Sequence, residues 1–238
     1  MGFPASSEVA VIATLLKAIT DIAEETAGSP VSALISFPAL PGLYQEDIAD
    51  AATYVGLRGL AKGLAVHPHE LVAAYAGHGY GLCKSYNPVN RCEPDDGHEF
   101  SARAILLVEY TKTALLLHLE VLGKAVELSW PNPYLKLSFA LGSSRSPNEL
   151  DIRDLVLEFL YHHYNERLKH GPPDSITVIL TGDAYSFCDG KVQRATKIVL
   201  EALRSRADIW AETPEYVAAR GAAEMAWRAI SDDERIEL

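Results

Sequence analysis

Apolar residues recur at two spacings along the chain, and the two spacings predict an alternation of helices and strands. Apolar positions three or four residues apart predict helices over about 7–26, 46–55, 148–164, 190–203 and 213–227. Continuous apolar runs predict strands at 31–37 and 175–181, and two or three adjacent strands between 104 and 130. Segments rich in turn residues, 83–101 and 131–147, are predicted to be long loops. This order of elements is typical of an α/β protein.

Composition and charge narrow the choice of partners. The chain has 238 residues, 48% of them hydrophobic, which is enough to build a sizeable core as one unit (1–238) or as two lobes, about 1–103 and 104–238. Its net charge of −11 disfavours nucleic acid and anionic membranes as partners, because both would repel it. No apolar run reaches the length of a membrane span, and the first residues lack the pattern of a secretory signal. We therefore expect a cytoplasmic protein.

Cysteines and histidines provide the first candidates for chemistry. Three cysteines, Cys83, Cys92 and Cys188, without Cys-x-x-Cys spacing predict free thiols, and a single Cys83–Cys92 bridge across a polar loop is the alternative. The sequence His67-Pro-His69-Glu70 has potential metal ligands, but no second ligand cluster accompanies it, so a loop or helix cap is the preferred interpretation. Neither a metal nor a cofactor is predicted.

Two stretches carry a resemblance to a known superfamily. Residues 31–57 comprise a predicted strand, a turn at Pro38 and a helix ending at Val55-Gly-Leu57, and residues 213–226 contain a Gly-Ala-Ala element. Both resemble the ATPase superfamily of actin, the sugar kinases and the seventy-kilodalton heat-shock chaperones. The chain is similar to reduced, chaperone-like fungal members of that superfamily. The likeness spans about residues 8–81 and 104–228.

This resemblance implies a fold and a site. The fold would be an actin-like ATPase (ribonuclease H-like) fold, shortened at its N-terminus, with a mixed sheet flanked by helices. Strands 31–37 and 176–181 would share one central sheet, and the small residues of the last helix would approach it closely. The family's first phosphate loop has no counterpart, and its glycine-rich second loop is replaced by Val108-Glu-Tyr-Thr-Lys-Thr-Ala114. Since side chains would fill the phosphate space, ATP hydrolysis is not expected.

We expect the site in a crevice at the carboxyl ends of the strands. Acid–base or hydrogen-bonding roles are assigned there to three residues, Asp183, Lys112 and Glu109. Asp183 takes the place of a glycine in the family's adenosine element, and it or Glu109 is alternatively a turn residue that caps the backbone. The expected ligand-binding residues are Tyr110, Trp130, Tyr134, Gly182 and Tyr185.

Three functions fit these expectations. The first is a crevice repurposed for an apolar small molecule, with a cofactor-free cyclase or isomerase (for example a pericyclic, Diels–Alder-type enzyme) of fungal secondary metabolism as its enzymatic form. The second is a nucleotide-binding pseudo-ATPase or chaperone-like scaffold. The third is an ATPase completed by a partner chain that supplies the missing hairpin. A homo-oligomer is also compatible with the sequence.

Overall fold

The computed structural model describes residues 6–28, 32–59, 67–86, 92–94, 100–126 and 134–230. The helices are α1 (Ser7–Ala27), α2 (Gln45–Tyr54), α3 (Glu70–Gly77), α4 (Glu149–Tyr161), α5 (Lys191–Ala202) and α6 (Val217–Ala229). The strands are β1 (Ser32–Ala33), β2 (Arg58–Gly59), β3 (Arg103–Tyr110), β4 (Leu115–Leu122), β5 (Tyr134–Ser138), β6 (Ser175–Gly182) and β7 (Arg206–Trp210). Within these ranges, no helix combines the length and the apolar character needed to cross a membrane.

The main sheet is a mixed, open sheet of five strands in the order β5-β4-β3-β6-β7. β3, β4 and β5 are antiparallel neighbours, whereas β6 runs parallel to β3 and β7 runs parallel to β6. Helices α4 and α5 contribute to the core on one face, and α3 and α6 contribute to the core on the other. The predicted α/β class, with a mixed sheet flanked by helices, is confirmed.

Side-chain alternation along β3 determines which residues meet on each face. Leu106, Val108 and Tyr110 belong to the core beneath α4 and α5, while Ile105 and Leu107 belong to the core beneath α3 and α6. Successive side chains of a strand point to opposite faces. Glu109 therefore lies on the side of α3 and α6.

The expectation that residues 31–37 share a sheet with residues 176–181 is wrong. Ser32–Ala33 pairs with Arg58–Gly59 in a separate two-stranded parallel sheet. Both edges of β6 are already occupied, by β3 on one side and by β7 on the other. β7, a short half-buried strand, was not predicted, and it fills the position next to β6.

Helix α6 shares a core with strands of the main sheet, as predicted, but the close approach of its glycine is to helix α3 and not to a strand. A Cβ atom on Gly221 would lie 1.7 Å from the carbonyl oxygen of Ala73 and 2.5 Å from the amide nitrogen of Gly77, both in α3. Only glycine permits two backbones to approach so closely. The glycine of the Gly-Ala-Ala element thus serves helix–helix packing.

Two predictions about the loops are also wrong. The segment 131–147, predicted to be a loop, contains the edge strand β5, whose exposed Lys136 interrupts the apolar pattern by which strands are recognised. Cys83 and Cys92, predicted to be free thiols, form a disulfide. An antiparallel backbone β-bridge between Cys83 and Pro94 brings the two ends of this loop together. Backbone pairing of this kind cannot be predicted from the spacing of the cysteines. Cys188 is exposed and takes no part in the disulfide.

Candidate functional site

A pair of glutamates meets at the carboxyl end of the main sheet. In the strand register, Glu109 of β3 lies beside Thr181 of β6 and Leu116 of β4. The beginning of α3 is held above these strands because the amide of Glu70 donates to the carbonyl of Phe37 at 2.8 Å. Glu70, in the first turn of α3, consequently makes a side-chain hydrogen bond with Glu109.

Burial governs the protonation of this pair. It raises the pKa of Glu109 to about 8, with smaller contributions from the negative charge of Glu70, the hydrogen bond between the two carboxyls and the charge of Asp183. Burial also raises the pKa of Glu70, while the hydrogen bond from Glu109 and the nearby Thr181 and His118 oppose that rise. Two carboxylates so close in a low-dielectric site cannot both ionise readily.

Two buried polar atoms near the glutamate pair, His118 Nε2 and Thr181 Oγ1, have no hydrogen bond among the described residues. His118 of β4 is 1% exposed, and its Nε2 lies 3.9 Å from Glu120 without a hydrogen bond among the described residues. The Thr181 hydroxyl is close enough to Glu70 to affect its pKa, yet within the described ranges it has no hydrogen bond of good geometry. Burial lowers the pKa of His69, whose ring centroid lies 6.4 Å from that of His118. Buried polar atoms without a hydrogen bond, such as those of His118 and Thr181, are costly and often mark functional sites.

The turn between β3 and β4 closes over this end of the sheet, and every backbone amide in it is used within the protein. The amide of Lys112 donates to Asp183 Oδ2 at 2.8 Å. The amides of Thr113 and Ala114 donate to the Thr111 hydroxyl, and the amide of Thr111 donates to the carbonyl of Ala114. Asp183 thus caps the turn, as the alternative interpretation of this residue predicted.

A groove of about 380 Å³ opens between this turn and the segment that follows β1. Its polar lining comprises Glu109, Asp183, Lys112 and two threonines of the turn. The rest is apolar and consists of Pro38, Leu40, Ala114, Leu116, Leu137 and Phe139. A groove of this volume, with mostly apolar walls and a few polar groups, is typical of a small-molecule site.

The structure brings together the three residues assigned to acid–base roles, because Glu109, Lys112 and Asp183 all line the groove. Gly182 lies directly beneath them at a φ of 115°, and a Cβ there would be 2.4 Å from the Tyr110 carbonyl oxygen. Glycine is required at this position for the close approach of β6 and β3.

Two of the aromatic residues expected to line the crevice, Tyr110 and Tyr134, lie elsewhere. Tyr110 is fully buried on the opposite face of the sheet, against Phe187 at 5.7 Å. Tyr134 stacks on Phe159 at 4.5 Å and donates its hydroxyl hydrogen to the carbonyl of that residue. The backbone of Tyr185 lies in a short 3-10 helix, and Trp130 falls outside the described residues.

Sequence reasoning missed the role of two residues in the site. The sequence pattern suggests Glu70 only as a potential metal ligand. It assigns no role to His118, which lies inside an apolar run. The available signal for His118 was a lone histidine between Leu117 and Leu119, in a strand made mostly of leucines. No comparable signal marked Glu70, since its position depends on the distant pairing of Phe37 with His69.

Comparison with known proteins adds no assignment. No protein-family model matches the chain, and no curated protein is significantly similar to it. In the part of the chain that the structure describes, no group of three or more His, Cys, Asp or Glu residues is arranged to hold a metal ion.

Proposed function

We propose that the groove binds a small, mostly apolar molecule with one hydrogen-bond acceptor, and that Glu109 acts on that acceptor as a proton donor. The observation that carries the proposal is the Glu70–Glu109 carboxyl pair beside a groove with apolar walls. The reaction class that suits this arrangement is a cofactor-free isomerisation or cyclisation. Such reactions depend on orientation and on one well-placed acid.

The roles of the individual residues follow from the geometry. A carboxyl with a pKa of about 8 holds its proton at neutral pH and donates it to a carbonyl as negative charge develops there. Glu70 does not line the groove, so its role is to position Glu109 and to share its proton. Lys112 lines the rim and supplies a positive charge for the same oxygen.

The turn between β3 and β4 is evidence that the ligand of this groove is not a nucleoside triphosphate. Phosphate loops hold their ligand with free backbone amides. All four amides of residues 111–114 are already donated to groups within the protein. We expect the purified chain to have no ATPase activity.

The proposal extends to the fold. The support is the main sheet, in which three antiparallel strands form a meander and are followed by two parallel strands, each reached through a helix; this is compatible with the ribonuclease H-like fold that the resemblance implies. This support concerns the five-stranded sheet alone, because the strand within residues 31–37 lies in a separate sheet and departs from what the resemblance implies. The two-stranded sheet with α1 and α2 has a small core of its own and would belong to a first lobe.

A neutral ketone that fluoresces tests the proposed function. Prodan, a naphthyl ketone, is apolar, has one carbonyl acceptor and shifts its emission when it leaves water. We expect it to bind with a Kd of about 100 μM or tighter. Binding should weaken as the pH rises through about 8, because Glu109 then loses the proton that it donates to the carbonyl.

Three variants locate the binding. Glu109→Gln keeps a hydrogen-bond donor without titrating, so its affinity should no longer depend on pH in that range. Leu40→Asp should abolish binding by placing a charge in the apolar wall. Leu150→Ser, at an exposed apolar residue of α4, is the matched control and should bind as the wild type does. Equal binding by wild type and Leu40→Asp, or the same pH profile in Glu109→Gln, would refute the assignment.

A further inference from the structure

A second cavity, of about 560 Å³, lies at the opposite end of β3 from the groove. Three arginines line it: Arg103 at the first position of β3, and Arg220 and Arg228 on α6. The chain as a whole carries a net charge of −11. Three arginines around one cavity are therefore an exception to the negative charge of the protein. Such a concentration of guanidinium groups in a concave site favours an anionic ligand.

The arginines are held in place by the protein. Arg220 Nε donates to the carbonyl of Gly77 at 2.8 Å, and Arg228 Nη1 donates to the carbonyl of Cys83 at 3.3 Å. The guanidinium of Arg103 lies over the ring of Tyr80, 5.1 Å from its centroid. Because these contacts restrict the side chains in advance, a ligand would lose little affinity in ordering them.

Among the described residues, most of the donors on Arg103 and Arg220 remain available. A guanidinium group carries five N–H donors, and Arg220 uses one of them on Gly77. Neither Arg103 nor Arg220 forms an ion pair with a carboxylate in the described ranges. Glu224, one helical turn from each of the α6 arginines, also lines the cavity and lies 3.7 Å from Arg228. Among the described residues, the lining thus has three positive charges and one negative charge.

Aromatic and apolar groups form another part of the wall. Tyr80, which is 40% exposed, stacks on Trp210 with a centroid distance of 4.5 Å and near Tyr75 at 5.9 Å. Phe100 and Leu82 line the same cavity. A phosphate ion alone would leave most of 560 Å³ empty, so the volume and these walls suit an organic body attached to the anion.

We propose that this cavity binds a phosphate monoester with an aromatic or otherwise planar body. A phosphate dianion presents three acceptor oxygens to the arginines, and it gains more from several guanidinium groups than a monocarboxylate does. The proposal does not rest on the function of the groove, because the two cavities share no lining residue.

Phenyl phosphate is the probe, and isothermal titration calorimetry with the full chain is the assay. We expect a Kd below about 1 mM at low salt, weaker binding of inorganic phosphate, and no binding of the neutral analogue phenol. Arg220→Met and Arg103→Gln should each weaken binding of phenyl phosphate at least about tenfold, since each removes charge-assisted hydrogen bonds. Glu224→Gln should tighten binding because it removes the opposing charge.

Arg153→Met is the matched control, since this arginine lies on α4 and does not line the cavity. It should leave the Kd unchanged. Thermal melting of each variant verifies that it is folded. For Glu224→Gln we expect tighter binding, and loss of folding could not produce that result. The proposal is overturned if phenyl phosphate does not bind at millimolar concentration, if Arg220→Met binds as Arg153→Met does, or if Glu224→Gln binds no tighter than the wild type.

Discussion

The substitution Glu109→Gln isolates the ionisation of one carboxyl from the shape of the site. Glutamine has nearly the same size as a protonated glutamate, and its amide can still donate to Glu70. What it lacks is the ability to become an anion next to Glu70 and Asp183. Any change in stability that depends on pH then reports the titration of Glu109.

The expected magnitude follows from the difference between the two states of the chain. The pKa of Glu109 is 4.5 in the ordinary case and about 8 in the folded protein. Between these values the folded state holds a proton that the unfolded chain has lost, so stability falls as the pH rises. Each pH unit costs about 1.4 kcal/mol, so the whole interval amounts to on the order of 3–5 kcal/mol.

Urea denaturation at a series of pH values measures this effect. The free energy of unfolding of Glu109→Gln should exceed that of the wild type by an amount that grows by on the order of 3 kcal/mol between about pH 5 and pH 9. Glu158→Gln, at an exposed glutamate of α4, is the control and should change stability by less than about 0.5 kcal/mol throughout. Burial also raises the pKa of Glu70, so the double variant with Glu70→Gln should flatten the remaining slope.

Parallel stability curves for wild type and Glu109→Gln would refute this reasoning. They would mean that Glu109 titrates alike in the folded and unfolded chains and is therefore well solvated. A variant that becomes less stable than the wild type as the pH rises would contradict even the sign, because it would show that the folded protein favours the Glu109 anion.

Three further predictions concern packing and covalent structure. Gly221→Ala should lower the free energy of unfolding by more than about 2 kcal/mol in the denaturation assay, because its Cβ would collide with the backbone of α3. Gly171→Ala is the control and should be nearly neutral, because the space around Gly171 is open. Reduction of the Cys83–Cys92 disulfide should destabilise the protein by about 2–4 kcal/mol, and an unchanged melting temperature in reductant would contradict the bond. Tyr110→Phe should keep or raise stability, by up to about 1 kcal/mol, because the buried hydroxyl has no hydrogen-bond partner among the described residues; a marked loss would reveal one.

Local pattern was sufficient to predict most long elements from the sequence. The prediction of α1 succeeded because Ser6 caps it and apolar positions recur along it, and the prediction of β6 succeeded because β-branched and apolar residues dominate it. β5 and β7, short and only half-buried, give too weak a pattern. For these strands, pairing with a neighbour decides the structure, and pairing is not a local property.

In the candidate site, too, residues placed by local pattern were predictable, and residues placed by distant contacts were not. Asp183 and Glu109 were predictable because they come at the ends of strongly apolar strands, where polar side chains collect. The opposite orientations of Glu109 and Tyr110 follow from strand alternation, which the assignment of both residues to one crevice overlooked. Glu70 was not predictable, because its meeting with Glu109 depends on how α3 is placed over the sheet.

The bond from the Lys112 amide to Asp183 connects residues 71 positions apart, and it has a consequence for the order of folding. The β3–β4 hairpin can form from neighbouring residues, but the groove needs the parallel pairing of β3 with β6, which must close a long loop first. Intermediates that contain the hairpin alone would have no groove. In a refolding experiment, prodan fluorescence should therefore develop with the slowest phase that restores the native circular dichroism, making ligand binding a kinetic marker of the completed sheet.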